Sequence, residues 1–213
     1  MDAPLDCQLC PRLVELRRQA REKNPDWFNA PVPVWGDVEA KLFIIGLAPG
    51  MQGANRTGRP FTGDFAGDLL FATLEKAGLT NGRYGKHLDD GFSLSGVLIA
   101  NAVRCVPPQN KPTGPEIVNC RPFLQATLAA RAQAQTFLAL GRIAHDTFLS
   151  TLGLRRASYP FGHGVRHELG GGRVLYDSYH CSRYNTNTRR LTPEMFESVV
   201  FAAAREAGIG GDL

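Results

Sequence analysis

The sequence predicts a single α/β domain: a three-layer α/β/α sandwich around a central, mostly parallel, four-stranded sheet. Three observations lead there. Four short apolar runs, at 42–47, 97–103, 136–140 and 174–179, have the length of buried strands. Helical patterns alternate with them, the order that builds a parallel sheet covered on both faces. The 213 residues suffice for one well-cored domain and are too few for two comfortable ones, so 1–213 reads as one unit.

In chain order, a helix is expected from about 11 to 23, opening on Pro11. Leu42, Phe43, Ile44 and Ile45 carry the first strand. A helix over 65–77 places Leu69, Leu70 and Leu74 on its apolar side, with Asp64 standing where a cap belongs. The second strand leads through a proline-rich stretch to a helix over 115–132. Its start, Thr113-Gly114-Pro115-Glu116, fits a capping box. Strand 136–140 is followed by a helix over 142–152. Strand 174–179 precedes a last helix that opens at Thr192-Pro193-Glu194 and repeats Phe196, Val199, Val200 and Ala203 along one face. Loops leaving the carboxyl ends of parallel strands gather along one edge. The Gly- and Pro-rich segments 46–64, 104–113 and 179–190 are therefore expected to meet at one site.

Composition is that of an ordinary globular protein, 43% hydrophobic and 21% charged, without repeats or low-complexity tracts. No apolar run approaches the roughly 20 residues needed to cross a bilayer. The start, with Asp2, Pro4 and Asp6, resembles neither a basic signal sequence nor an Arg-rich transit peptide. A cytoplasmic monomer is the expectation. The net charge of +4 is compatible with a polyanionic partner without demanding one. Basic residues are spread along the chain, so any nucleic-acid footprint has to be assembled by folding.

Five cysteines occur. Cys7 and Cys10 form C-x-x-C, and Cys105 and Cys120 are separated by fourteen intervening residues. A thioredoxin-like redox pair would follow a strand, which this one does not. Four soft ligands suit zinc, and they suit a cubane iron–sulfur cluster equally. Spacing alone leaves both open. Cys181 neighbours His180, but adjacent residues on an extended chain face opposite ways, so it reads as a bystander thiol.

Three segments carry candidate chemistry. Gly46-Leu47-Ala48-Pro49-Gly50 ends the first strand, and Gly58-Arg59-Pro60-Phe61-Thr62-Gly63-Asp64 closes the loop after it. Glycines there permit close approach of backbone to a ligand. Asp64 is either a plain helix cap or a carboxylate placed under a sugar. The second segment runs from Asn101 through Cys105-Val106-Pro107-Pro108-Gln109-Asn110-Lys111, where prolines stiffen a loop presenting Asn110 and Lys111. Asn110 can read the edge of a base or simply form a turn. The third is Ser178-Tyr179-His180-Cys181-Ser182-Arg183-Tyr184-Asn185, with a histidine at a strand carboxyl end. His163 and His167 flank a Gly-rich turn and could touch a phosphate.

Together these motifs resemble the uracil-DNA glycosylase superfamily, and within it the family 5 (type b) enzymes. The resemblance spans nearly the whole chain. It is carried by Cys7-x-x-Cys10-Pro11-Arg12-Leu13, by G-L-A-P-G at 46–50 running on to Asp64, by A-V-R-C-V-P-P-Q-N-K-P-T at 102–113, by A-L-G-R-I-A at 139–144, and by S-Y-H-x-S at 178–182. It implies hydrolytic excision of uracil, and of other deaminated bases such as hypoxanthine, from double- and single-stranded DNA, leaving an abasic site. A non-catalytic iron–sulfur damage sensor is the alternative. It implies a structural 4Fe–4S cluster on Cys7, Cys10, Cys105 and Cys120 that ties in the N-terminal segment 1–35. Asp64, Asn110 and His180 are the implied catalytic residues. Phe61 would stack on the extruded base, beside Gly46, Leu47, Ala48 and Asn101. Arg56, Lys111, Ser182, Arg183, Asn185, Arg189 and Arg190 are the expected DNA contacts, with the loop 181–187 pushing into the duplex. Two departures stand out. Leu47 replaces the acidic residue of family 4, and Arg189 stands where the family often has glycine, a change expected to alter the turn and to strengthen DNA contact.

Overall fold

The computed structural model describes residues 2–211. Its main sheet has six strands, two more than the sequence predicts. The four apolar runs form the parallel centre: β2 (Leu42–Gly46), β5 (Val97–Asn101), β6 (Thr136–Leu140) and β8 (Arg173–Ser178). Two antiparallel edges complete the order β1-β5-β2-β6-β8-β7: β1 (Trp35–Gly36) and β7 (Arg166–Gly170). Both escape the sequence pattern. β1 has only two residues, and β7 is mostly polar, with only His167 buried. A two-stranded ribbon, β3 (Thr80–Asn81) with β4 (Ser93–Leu94), lies apart from the sheet.

Alternation along the strands divides the core. Leu42, Ile44, Ile99 and Leu138 pack against α3 (Phe65–Lys76) and α7 (Pro193–Glu206) through Leu70, Leu74, Phe196 and Val200. Phe43, Ile45, Leu98 and Phe137 face α4 (Gly114–Ala129) and α5 (Arg142–Thr151) through Leu124, Phe148 and Leu149. The helix over 115–132 thus stops at Ala129. Its capping box is formed as expected, Thr113 and Glu116 each bonding the other's backbone N–H. No helix among the described residues is long and apolar enough to cross a membrane.

The N-terminal helix, α1 (Pro11–Lys23), packs outside this sandwich, with Leu13 against Val103 and Cys120. Arg12 forks onto the Glu116 carboxylate at 2.8 and 2.7 Å, joining α1 to the cap of α4. The chain runs from β2 to β5 on one side and then to β6 on the other. This reversal opens a crevice at the carboxyl ends of β2 and β6, where α/β folds bind their ligands.

Candidate active site

A cavity of about 310 Å³ opens at that crevice, and the three predicted segments meet around it. Leu47, Ala48, Phe61, Asp64, Asn101, Asn110, His180, Ser182 and Arg183 all line it. Gly46 lies beneath. A side chain there would collide with Asn101 Oδ1 at 2.4 Å and the Phe61 ring at 2.8 Å.

Asp64 fulfils the capping reading, and it also lines the cavity. It caps α3, its Oδ1 accepting from the Gly67 amide at 3.1 Å. Its Oδ2 lies over Gly53, whose missing Cβ would stand 2.3 Å away. Burial raises the Asp64 carboxyl above its usual range, against the lowering pull of the Gly67 and Ala66 amides. The loop bearing it is braced by a network that sequence reasoning missed. Arg59 binds Asp90 through two bonds of 2.8 and 2.7 Å, with both side chains almost fully buried. The rings of Trp35, Tyr84 and Phe92 surround its guanidinium at 4.9 to 5.8 Å. The Tyr84 hydroxyl receives the Gly63 amide at 3.0 Å and donates to the Phe61 carbonyl. Arg59 and Asp90 lie 31 positions apart, and no local pattern links them.

His180 stands across the cavity, its ring nearly parallel to that of Phe61 with centroids 6.1 Å apart. Burial lowers the imidazole to about 4, so it is neutral at physiological pH. The Asn185 amide donates to its backbone carbonyl at 2.8 Å. Behind it, the buried Asp177 carboxylate takes His145 at 2.7 Å and His167 at 2.9 Å, one on each oxygen. His163 Nδ1 accepts the Tyr179 amide at 3.2 Å. His167 is therefore engaged inside the protein, which corrects its expected role at a phosphate. Cys181 is fully buried, its thiol donating to Ala66 O at 3.4 Å and pushed far up by burial, so it is inert.

Of the expected DNA contacts, Ser182 and Arg183 line the cavity, whereas Arg56, Lys111, Asn185, Arg189 and Arg190 do not. Ser182 caps the short helix α6 (Arg183–Asn187), which occupies the segment expected to enter the duplex. Tyr184 projects from it 73% exposed, a candidate that sequence reasoning did not single out. Arg183 lies over Phe65 and Arg190 over Tyr179. Arg56, Lys111, Arg183, Arg189 and Arg190 are exposed. Four residues around the site other than glycine hold left-handed backbone: Phe61, Gln109, Asn110 and Arg189, with φ of 55 to 56°. Such conformations persist where surrounding structure enforces them, commonly at functional sites.

The other four cysteines gather around one small cavity between α1, α4 and the strand that ends at Asn101. N–H groups point at three of the sulfurs: Arg104 N at Cys120, Arg17 Nη1 at Cys105, and the Asn119 amide at Cys10. Burial pushes the Cys105 thiol up to about 11 and Cys120 up to about 12, the opposite of a redox-active C-x-x-C thiol.

The family model of the uracil DNA glycosylase superfamily matches residues 33–203. The chain belongs to the uracil DNA glycosylase superfamily. A type-5 uracil-DNA glycosylase of Thermus thermophilus is 46% identical over 209 residues, covering 95% of this chain and 94% of its own. One of Pyrobaculum aerophilum is 41% identical, covering 96% and 90%. A type-4 enzyme of Sulfurisphaera tokodaii is more distant, 28% identical over 79% of this chain and 72% of its own. That ranking agrees with the family 5 resemblance of the sequence motifs. The second departure has a structural meaning. Arg189 itself takes the left-handed backbone that a glycine would adopt freely, which puts a charged side chain on a strained turn.

Proposed function

We propose that this protein excises uracil from DNA by hydrolysis of the N-glycosidic bond, leaving an abasic site, and accepts other deaminated bases such as hypoxanthine. The observation that carries this reading is the convergence of Asp64, Asn110 and His180 around one cavity with the Phe61 ring. A base inside a duplex must first be extruded, costing a few kcal/mol. Phe61 offers the face on which it stacks. Bond scission leaves an electron-poor sugar and an anionic base, through a state resembling an oxocarbenium ion. The Asp64 carboxylate, in a water-poor setting, opposes the developing positive charge and orients the attacking water. Neutral His180 donates a hydrogen bond to the departing base oxygen, stronger for being desolvated. Asn110 positions water or base from the opposite loop.

Asn101 supports the substrate class. It lines the cavity, and its side-chain amide, whose Oδ1 has no hydrogen-bond partner in the protein, can turn an acceptor toward a bound base. An acceptor at that place suits the ring N–H that uracil and hypoxanthine share. Cytosine and adenine present an acceptor at the corresponding ring nitrogen, so the site favours deaminated bases.

In the same reading, Cys7, Cys10, Cys105 and Cys120 hold a 4Fe–4S cluster. Four cysteines around one cavity, three of their sulfurs facing an N–H donor, fit such a group. Bound there, it would act as a crosslink between the N-terminal segment and the Cys105 loop. That loop leads directly to Asn110. The test is a gel assay on oligonucleotides carrying one uracil, one hypoxanthine or neither. Alkali-labile breaks at the modified positions, with no cleavage before alkali, are expected. DNA binding without base release would overturn the enzymatic reading in favour of a damage sensor.

A further inference from the structure

The cysteine cavity has two occupants that a simple crosslink does not require. Arg17 and Arg104 are 3% and 1% exposed, and both line it. Arg17 donates through Nη2 to the Cys7 carbonyl at 2.7 Å and through Nη1 to Cys105 Sγ at 3.5 Å. It thereby spans the two ligand-bearing segments. Arg104 sits between Val103 and Cys105, gives its backbone N–H to Cys120 Sγ at 3.2 Å, and lines the same cavity. Its Nη2 donates to Thr127 at 3.1 Å, but Nε and Nη1 are buried without a hydrogen-bond partner. The carboxylate paired with it is Asp2, at 3.4 Å from Nε. A guanidinium is permanently charged, and burying such a charge without anionic compensation is strongly unfavourable. Four neutral thiols would offer none. Four thiolates around an iron–sulfur core of charge about +2 carry about −2 overall, and the charge and sulfur hydrogen bonds of such clusters govern their properties.

We propose that Arg104 and Arg17 are the charge partners of the cysteine-held cluster, two buried cations that offset its negative charge, with the Arg17 guanidinium also donating to a ligand sulfur. The inference rests on the cluster reading above and goes beyond it. It assigns the cavity an anionic occupant and gives two residues outside the ligand set a part in retaining it. Removing one cation while keeping the aliphatic stem should loosen the cluster. Keeping the charge on a shorter group should largely preserve it.

The experiment compares wild type, Arg104→Met, Arg104→Lys, Arg17→Met and Arg17→Lys, all purified without oxygen. Iron and acid-labile sulfide per chain are measured first, then the rate of iron loss to a chelator, with circular dichroism as the check on folding. Each Met variant is expected to lose iron about tenfold faster or more, the range seen for residues that support metal ligands, and each Lys variant to stay near wild type. Wild type without iron and sulfide would sink the cluster reading itself. Iron-loaded wild type with folded Met variants that release iron no faster would sink this inference alone. Lys variants as leaky as the Met variants would show that shape, rather than charge, matters. Should Arg104→Met fail to fold, the Arg17 pair decides by the same comparison.

Discussion

Arg189 offers a test in which stability and DNA binding move in opposite directions. It sits after α6 with φ 56°, exposed, its amide bonded to the Thr186 carbonyl at 3.1 Å. A left-handed conformation costs a residue bearing a Cβ roughly 1–2 kcal/mol. Arg189→Gly relieves that strain while adding about 0.5–1 kcal/mol of unfolded-chain entropy. The net effect is a stabilisation of about 0.5–1 kcal/mol. For a chain of this size that raises Tm by about 1–4 °C. The same change deletes an exposed cation two residues beyond α6. If it meets a phosphate, the slope of log K against log salt concentration falls by about 0.9. Thermal melts and DNA binding at several salt concentrations read both quantities. A lower Tm would refute the strain argument, and an unchanged slope would refute the phosphate contact.

Further outcomes follow from the same geometry. Asp90→Ala leaves Arg59 charged and buried without its partner, so a loss of about 3–5 kcal/mol in urea melts is expected, with weaker excision because the Phe61–Asp64 loop loses its brace. The Asp90 carboxyl is held far below its usual 3.8, chiefly by Arg59, so its stabilising contribution is present above 3.8 and fades only as pH falls toward strong acid. The rate of base release should be flat through pH 6.5, because His180 stays neutral down to about 4, and should fall on the acid side as Asp64 takes a proton above the ordinary 3.8. Fold stability declines as pH drops from 6.5 toward 4, where the unfolded chain binds a proton at His180 that the folded chain rejects. Cys105→Ala should reduce soluble yield and iron content together with activity; a soluble, iron-free and fully active variant would contradict the crosslinking role.

The elements that position the site were legible because their signals are local. Uninterrupted apolar runs mark strands buried on both faces, and caps such as Thr113 and Thr192 mark helix starts. The rule for strand carboxyl ends then brings Asp64, Asn110 and His180 together without any contact being known. What escaped is short or non-local. β7 shows one buried residue in five, a histidine, so its alternation carries no apolar signal. α6 is too short at five residues for helical periodicity. Arg17, Arg59 and Arg104 read in sequence as ordinary surface cations. Only burial reveals that each sits inside the protein, two lining the cysteine cavity and one against Asp90.

The most direct test of the central claim is single-turnover uracil release by Asp64→Asn beside wild type. The amide keeps an oxygen for the Gly67 N–H and removes only the charge that burial disfavours. The account predicts a variant at least as heat-stable as wild type that still binds uracil-containing DNA, yet releases base slower by about two orders of magnitude or more, the scale lost with one electrostatic stabiliser. Release at the wild-type rate would contradict the assignment of Asp64, and with it the mechanism built on this cavity.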